Sequence, residues 1–183
     1  MDVEAFIARI REHYIEQFRS FVAKQKQGGV NGAPELKLRL SPECGLFRHL
    51  YCVDFMKNDP LELIELQPDR VLSFEPISGA IGDARLRIEH LCWDDVEIYH
   101  DLGMPLKGID QWFALWFDEN DERLEATAEF SNAIHSLLIE ADHLSIDFGS
   151  APTVAFWELL ALLEAAGAKS IRITSSQAEA GNE

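Results

Sequence analysis

The stretch HLSIDFGSAPTVAFWELLALLEAAGAKSIRIT, residues 143–174, decides the fold. His143 to Phe148 alternates as a strand does and pairs in a predicted hairpin with Ala133 to Glu140 around Ala141-Asp142. Ser150 reads as an N-cap, with Pro152 inside the first turn of a helix running to about Ala166. From Val154 to Leu163 this helix is apolar nearly all round, which predicts burial. Gly167 ends it as a C′ residue, and Ser170 to Thr174 returns as a strand with Ile171 and Ile173 inward. Strand, helix and strand in this order allow one parallel crossover.

Outward from there, the other strand candidates are joined by short turns. Leu36 to Leu40 alternates strictly, and Tyr51, Val53 and Phe55 alternate within the ambiguous stretch Phe47 to Met56. Leu61 to Leu66 and Arg70 to Glu75 read as short strands around the turn Gln67-Pro68-Asp69, and Ser78 to Asp83 as a loop with two glycines. Arg85 to Leu91 alternates cleanly, and Asp94-Asp95 is a hairpin corner before Val96 to His100. Ile109 to Phe117 turns helical. Val3 to Lys26 is an amphipathic helix stopped by Gly28-Gly29, and its apolar stripe contains Phe6, Phe18 and Phe21. That stripe caps the sheet or packs against its copy in a homodimer. The expected fold is α+β: a mainly antiparallel sheet, an N-terminal amphipathic helix and a buried C-terminal helix in a strand–helix–strand unit. Its 183 residues suit one domain over 1–175, with a frayed tail over 176–183.

Charge narrows the partners. There are 32 acids against 16 bases, a net charge of −16. Residues 1–60 carry 8 acids and 9 bases, whereas residues 61–183 carry 24 acids and 7 bases. Glu89 to Glu129 alone holds 12 acids with only Lys107 and Arg123 as bases. Such a surface repels phosphate backbones and anionic membranes, so direct nucleic-acid or membrane binding is not expected. Cys44, Cys52 and Cys92 form no CxxC pair, and the start Met1-Asp2-Val3-Glu4 lacks a basic n-region, which together suit a bacterial cytoplasm.

No catalytic or cofactor motif stands out, and no cofactor is expected. Cys92 lies beside His90 and Asp94, but triads are assembled from separate segments, so a buried thiol is the expectation. Gly79 to Gly82 has no lysine and no following helix, and Asp147-Phe148-Gly149 lacks the other kinase motifs. No spacing signature marks a metal site; if a metal is held, His90, His100, His135 and His143 are the donors to test. Acids and aromatics mix after Glu89. Trp112 and Trp116, followed by Asp118, Glu119, Asp121 and Glu122, make a candidate recognition face for a basic protein.

Three functions follow as expectations. The first is an acidic binding or inhibitor module that masks a basic partner, by the logic of immunity proteins and nucleic-acid mimics. The second is a small metal-dependent enzyme with a His/carboxylate pocket, and the third a dimeric scaffold.

Overall fold

The computed structural model describes residues 2–103 and 105–176. Helix α1 spans Val3–Gln25, and the Asp2 carboxylate caps it by accepting the Glu4 N–H at 3.0 Å. Its buried face holds Ile7, Ile10, Tyr14, Ile15, Phe18 and Val22. Three strands follow in an antiparallel sheet of order β1-β2-β3: β1 (Gly32–Arg39), β2 (Leu50–Asn58) and β3 (Leu61–Ile64). The remaining strands are β4 (Ile77–Ile81), β5 (Ala84–Ile88), β6 (Val96–His100), β7 (Ser136–Ile139), β8 (His143–Asp147) and β9 (Ser170–Thr174). They form a mixed sheet of order β4-β5-β9-β6-β8-β7. Helix α2 is Ile109–Phe117, and α3 is Thr153–Ala165.

The architecture is α+β, with two sheets where the sequence suggests one. The deciding stretch folds as expected, with β7 and β8 in a hairpin and α3 carrying the chain to β9. β9 pairs parallel to β5 and antiparallel to β6. That insertion corrects the hairpin expected at Asp94-Asp95. The turn does form, with the Asp95 N–H donating to the Cys92 carbonyl at 3.1 Å, but β9 separates the strands on either side. Ile173 lies opposite both Ile88 and Ile98, all fully buried, so the centre of the sheet is completed by a strand distant in sequence.

Other differences have local causes. Arg70 to Glu75 is no strand, because its backbone bonds to α1: Arg70 N–H donates to Gln17 Oε1 at 3.2 Å, and Gln17 Nε2 donates to the Arg70 carbonyl at 3.0 Å. The two-glycine segment is a tight hairpin between β4 and β5 and not a loop, with Gly82 at φ +52° in the turn. Pro152, not Ser150, occupies the N-cap position of α3. The tail expected from residue 176 lies, from 177 onward, outside the described residues.

α3 buries Ala155, Phe156, Leu159, Leu160 and Leu163, and the Phe156 ring meets Phe148 at 5.8 Å and Trp93 at 6.1 Å. α1 packs on the segments that join β3 to β4 and α2 to β7. Phe6 packs edge-on against Phe74 at 4.7 Å, and the fully buried Phe18 packs on Phe130 at 4.8 Å. The aromatic stripe therefore caps the fold within the chain, and its centre, Phe18, is not on the surface. Among the described residues no helix is long and apolar enough to cross a membrane.

Candidate functional site

β2 carries an aspartate, Asp54, in the middle of its apolar run Cys52-Val53-Asp54-Phe55, and its residue is only 4% exposed. A lone buried carboxylate is costly, so it must find partners. In the β1–β2 register Leu36 faces Val53 and Pro34 faces Phe55, which brings Glu35 beside Asp54. Glu35 adopts φ +53°, a left-handed conformation that costs a non-glycine residue roughly 1–2 kcal/mol. Its carboxylate is compensated by three donors: Ser131 N–H at 2.6 Å, the Ser150 hydroxyl, and His135 Nε2 at 3.0 Å. Asp54 accepts the Leu66 N–H on one oxygen at 2.7 Å, and its other oxygen lies 2.9 Å from His135 Nδ1.

His135 is the hub. It immediately precedes β7, its side chain is fully buried, and its backbone joins the sheets. Cys52 N–H donates to the His135 carbonyl at 2.8 Å, and His135 N–H donates to the Asp147 carbonyl at 2.9 Å. Asp147, at the end of β8, brings a third carboxylate to 3.8 Å from Nδ1. Phe18 roofs the ring at 5.9 Å, and Gly149 leaves space for it: a Cβ there would fall on His135 Cδ2 and Nε2.

Burial by itself pulls the His135 pKa down. The Cys52 sulfur, Asp147 and Asp54 more than reverse this, so it stands well above the ordinary histidine value. Burial likewise pushes the Cys52 thiol up, against the pull of His135. Burial pushes Glu35 up as well, but the hydrogen bonds of His135, Ser150 and Ser131 outweigh it and leave Glu35 below its usual range. For Asp147 burial wins over the attraction of His135, with Asp54 and Asp94 adding to it, and its carboxyl is held well above the usual range.

Beside this cluster Tyr14, Cys92, Trp93 and Asp94 line a cavity of about 20 Å³, room for one water, which needs roughly 10–15 Å³. Burial first, and then the charges of Asp95 and Asp54, push Asp94 up to about 6. The folded protein thus binds this proton more tightly than the unfolded chain, so Asp94 costs stability as pH rises from about 4 to about 6 and throughout higher pH. Asp94→Asn is expected to raise stability at pH 7 by about 1–2 kcal/mol and to change it little at pH ~3.5. Urea unfolding at both pH values checks this; equal shifts at the two would refute it.

The acidic stretch after α2 is built differently from its sequence appearance. Trp112 and Trp116 are buried, at 5% and 6% exposure, because their indole N–H groups donate to the Ala155 carbonyl at 3.0 Å and to Glu158 at 2.8 Å on α3. Neither is a surface anchor. Asp118 also turns inward, and its carboxylate accepts the N–H groups of Glu122 at 3.0 Å and Arg123 at 2.9 Å. Glu119 pairs with Arg39 at 2.5 Å and Asp121 with Lys37, so two bases of β1 answer two of the acids. The Glu122 and Glu125 carboxylates make no ion pair among the described residues, and both residues are exposed. Leu115 on α2 and Leu124 in the acidic stretch are 45% and 46% exposed.

Among the described residues one group could hold a cation, Asp54, His135 and Asp147 with one ligand atom of each within 4.8 Å of the others, and His135 alone of the four candidate histidines belongs to it. His143 stacks on Tyr99 at 4.8 Å and pairs with Asp142, His100 Nδ1 accepts the Leu102 N–H at 3.3 Å, and His90 is exposed. The carboxylates that do surround His135 carry one sequence signal, an aspartate inside the apolar run of β2. Compared with family models, curated proteins and solved structures, the chain matches none.

Proposed function

We propose that this protein is an acidic binding or inhibitor module of the bacterial cytoplasm that masks a basic protein surface, in the manner of an immunity protein or a nucleic-acid mimic. The observation behind the reading is the exposed segment that follows α2. Leu124 in that segment and Leu115 near the end of α2, each nearly half exposed, bracket the exposed acids Glu119, Asp121 and Glu122 in the sequence, and the exposed Glu125 follows. Beside them Phe113, Phe117, Glu119 and Glu122 line a groove. Exposed apolar side chains close in sequence to exposed acids suit a partner whose apolar contacts are surrounded by Lys and Arg. Lys37 and Arg39 hold two of the acids in place, while Glu122 and Glu125 leave uncompensated charge at the edge. Such charge raises the rate of encounter more than it raises affinity.

The test is capture of the partner by the full chain, followed by reconstitution with that purified partner and measurement of association rate against salt. Glu122→Lys with Glu125→Lys is expected to slow association about tenfold at low salt, and Leu115→Ser to hasten dissociation. The same reversal at Asp83 and Asp142, exposed acids of other turns, should leave both rates unchanged. A partner of acidic surface, or equal loss from both pairs of reversals, would overturn the reading.

A further inference from the structure

We propose that Asp54, His135 and Asp147 form a binding site for one divalent transition-metal ion of the zinc class, with Glu35 orienting the imidazole. Three observations carry this, and none depends on the binding face after α2. The first is convergence. The ligand atoms of the three side chains lie within 4.8 Å of one another, with 2.9 Å from His135 Nδ1 to Asp54 and 3.8 Å from Nδ1 to Asp147. Donors held about 2.1 Å from one ion stand roughly 3.0–3.4 Å apart at right-angled to tetrahedral angles, so small adjustments would close the set.

The second is a pair of unsatisfied atoms. His135 Nδ1 and Asp54 Oδ1 are both buried and pair at 2.9 Å, yet neither has a well-directed hydrogen bond. The separation suits one and the direction does not. Buried polar atoms of native proteins are almost always satisfied, and an ion between these two would satisfy both at once. The third is the surrounding shell. His135 Nε2 meets Glu35, which is fixed in turn by Ser131 and Ser150. A ligating histidine whose other ring nitrogen donates to a carboxylate is the usual arrangement in metal sites. No Lys or Arg among the described residues bonds to Glu35, Asp54 or Asp147, so three carboxylates share one imidazole.

One imidazole and two carboxylates suit zinc, manganese or iron(II) better than soft copper(I) or all-oxygen calcium sites. The ion takes the place of the Nδ1 proton, which leaves to solvent. The Asp147 side chain is 22% exposed, so water reaches the site from its side. The ligands come from β2, from the residue before β7 and from β8, so the ion would clasp the two sheets together.

The experiment takes the full chain stripped by chelator and titrates it with ZnCl2, and separately with CoCl2. One equivalent bound, a visible cobalt spectrum and a melting temperature raised by roughly 5–10 °C at 100-fold excess over Kd are expected. X-ray absorption of the zinc-loaded wild type should show one imidazole among oxygen donors. Asp147→Asn should weaken binding at least tenfold, and Glu35→Gln about 10–100-fold. Absence of a bound equivalent in the wild type overturns the proposal. So does a zinc shell with sulfur or two or more imidazoles, or a folded Asp147→Asn that binds as the wild type does. Should a variant not fold, the wild-type stoichiometry and shell decide.

Discussion

His135→Ala is expected to lower the unfolding free energy by about 3–5 kcal/mol in metal-free protein, a large share of the roughly 5–15 kcal/mol that holds a domain folded. The ring fills a space under Phe18 and is fully buried, so its loss opens a cavity. Electrostatics contribute more than the cavity does. Glu35 would keep Ser131 and Ser150, but the Asp54 oxygen that faces Nδ1 would keep nothing, and both side chains are at most 6% exposed. Removing one partner from a buried charge network costs far more than the network contributes as a whole.

The pH dependence separates this from plain cavity formation. Glu35 is held below its ordinary value of 4.5, so its contribution is present above that pH and is lost as pH falls through the folded value. His135 is held above its ordinary 6.5, so its contribution is full below that pH and is lost as pH rises toward the folded value. The gap between wild type and His135→Ala should therefore be widest between about pH 4.5 and 6.5 and should narrow on both sides. Urea unfolding across pH 3.5–8.5 measures it; a gap that does not change with pH leaves only the cavity.

Gly149→Ala should cost about 2–5 kcal/mol by two additive effects. With φ at +48°, any side chain carries the left-handed penalty of about 1–2 kcal/mol. The new methyl also meets the His135 ring, which cannot move aside because Glu35 and Asp54 flank it and Phe18 covers it. Overpacking of this kind costs roughly 1–3 kcal/mol. Gly28→Ala is the comparison, since Gly28 has φ +79° and nothing within 4 Å of an added Cβ. Guanidinium midpoints of the two variants give the steric part by difference. Equal costs would mean that the His135 ring yields freely.

Much of the fold can be read from the sequence where pattern is local. Residues 136–174 show it best, because hairpin, apolar helix and final strand each follow from adjacent residues. The place of β9 cannot be read that way. Its alternation says only that Ile171 and Ile173 point inward, and nothing near Ser170 names β5 and β6 as neighbours. Arg70 to Glu75 misleads for a related reason, since its hydrogen-bond partner is Gln17, a side chain 53 residues away. Around the candidate site the failure is of another kind. Trp112 and Trp116 look like surface anchors beside acids, but the acceptors that bury them, Ala155 O and Glu158, sit on another helix. His135 is among the histidines worth testing, whereas Glu35, Asp54 and Asp147 come from three strands, and only the odd aspartate in β2 hints at them.

The position of β9 also bears on how the protein is made. A ribosome adds roughly 5–20 residues per second, and residues 101–174 separate the end of β6 from the end of β9. For about 4–15 s the emerging chain contains the β5 and β6 segments but not the strand that pairs with both. Slow codons in that interval would lengthen it, and a holdase that engages nascent chains past His100 would shorten its consequences. The strand that lies between β5 and β6 is the last strand of the large sheet to be synthesised, so that sheet cannot close before residue 174 has emerged.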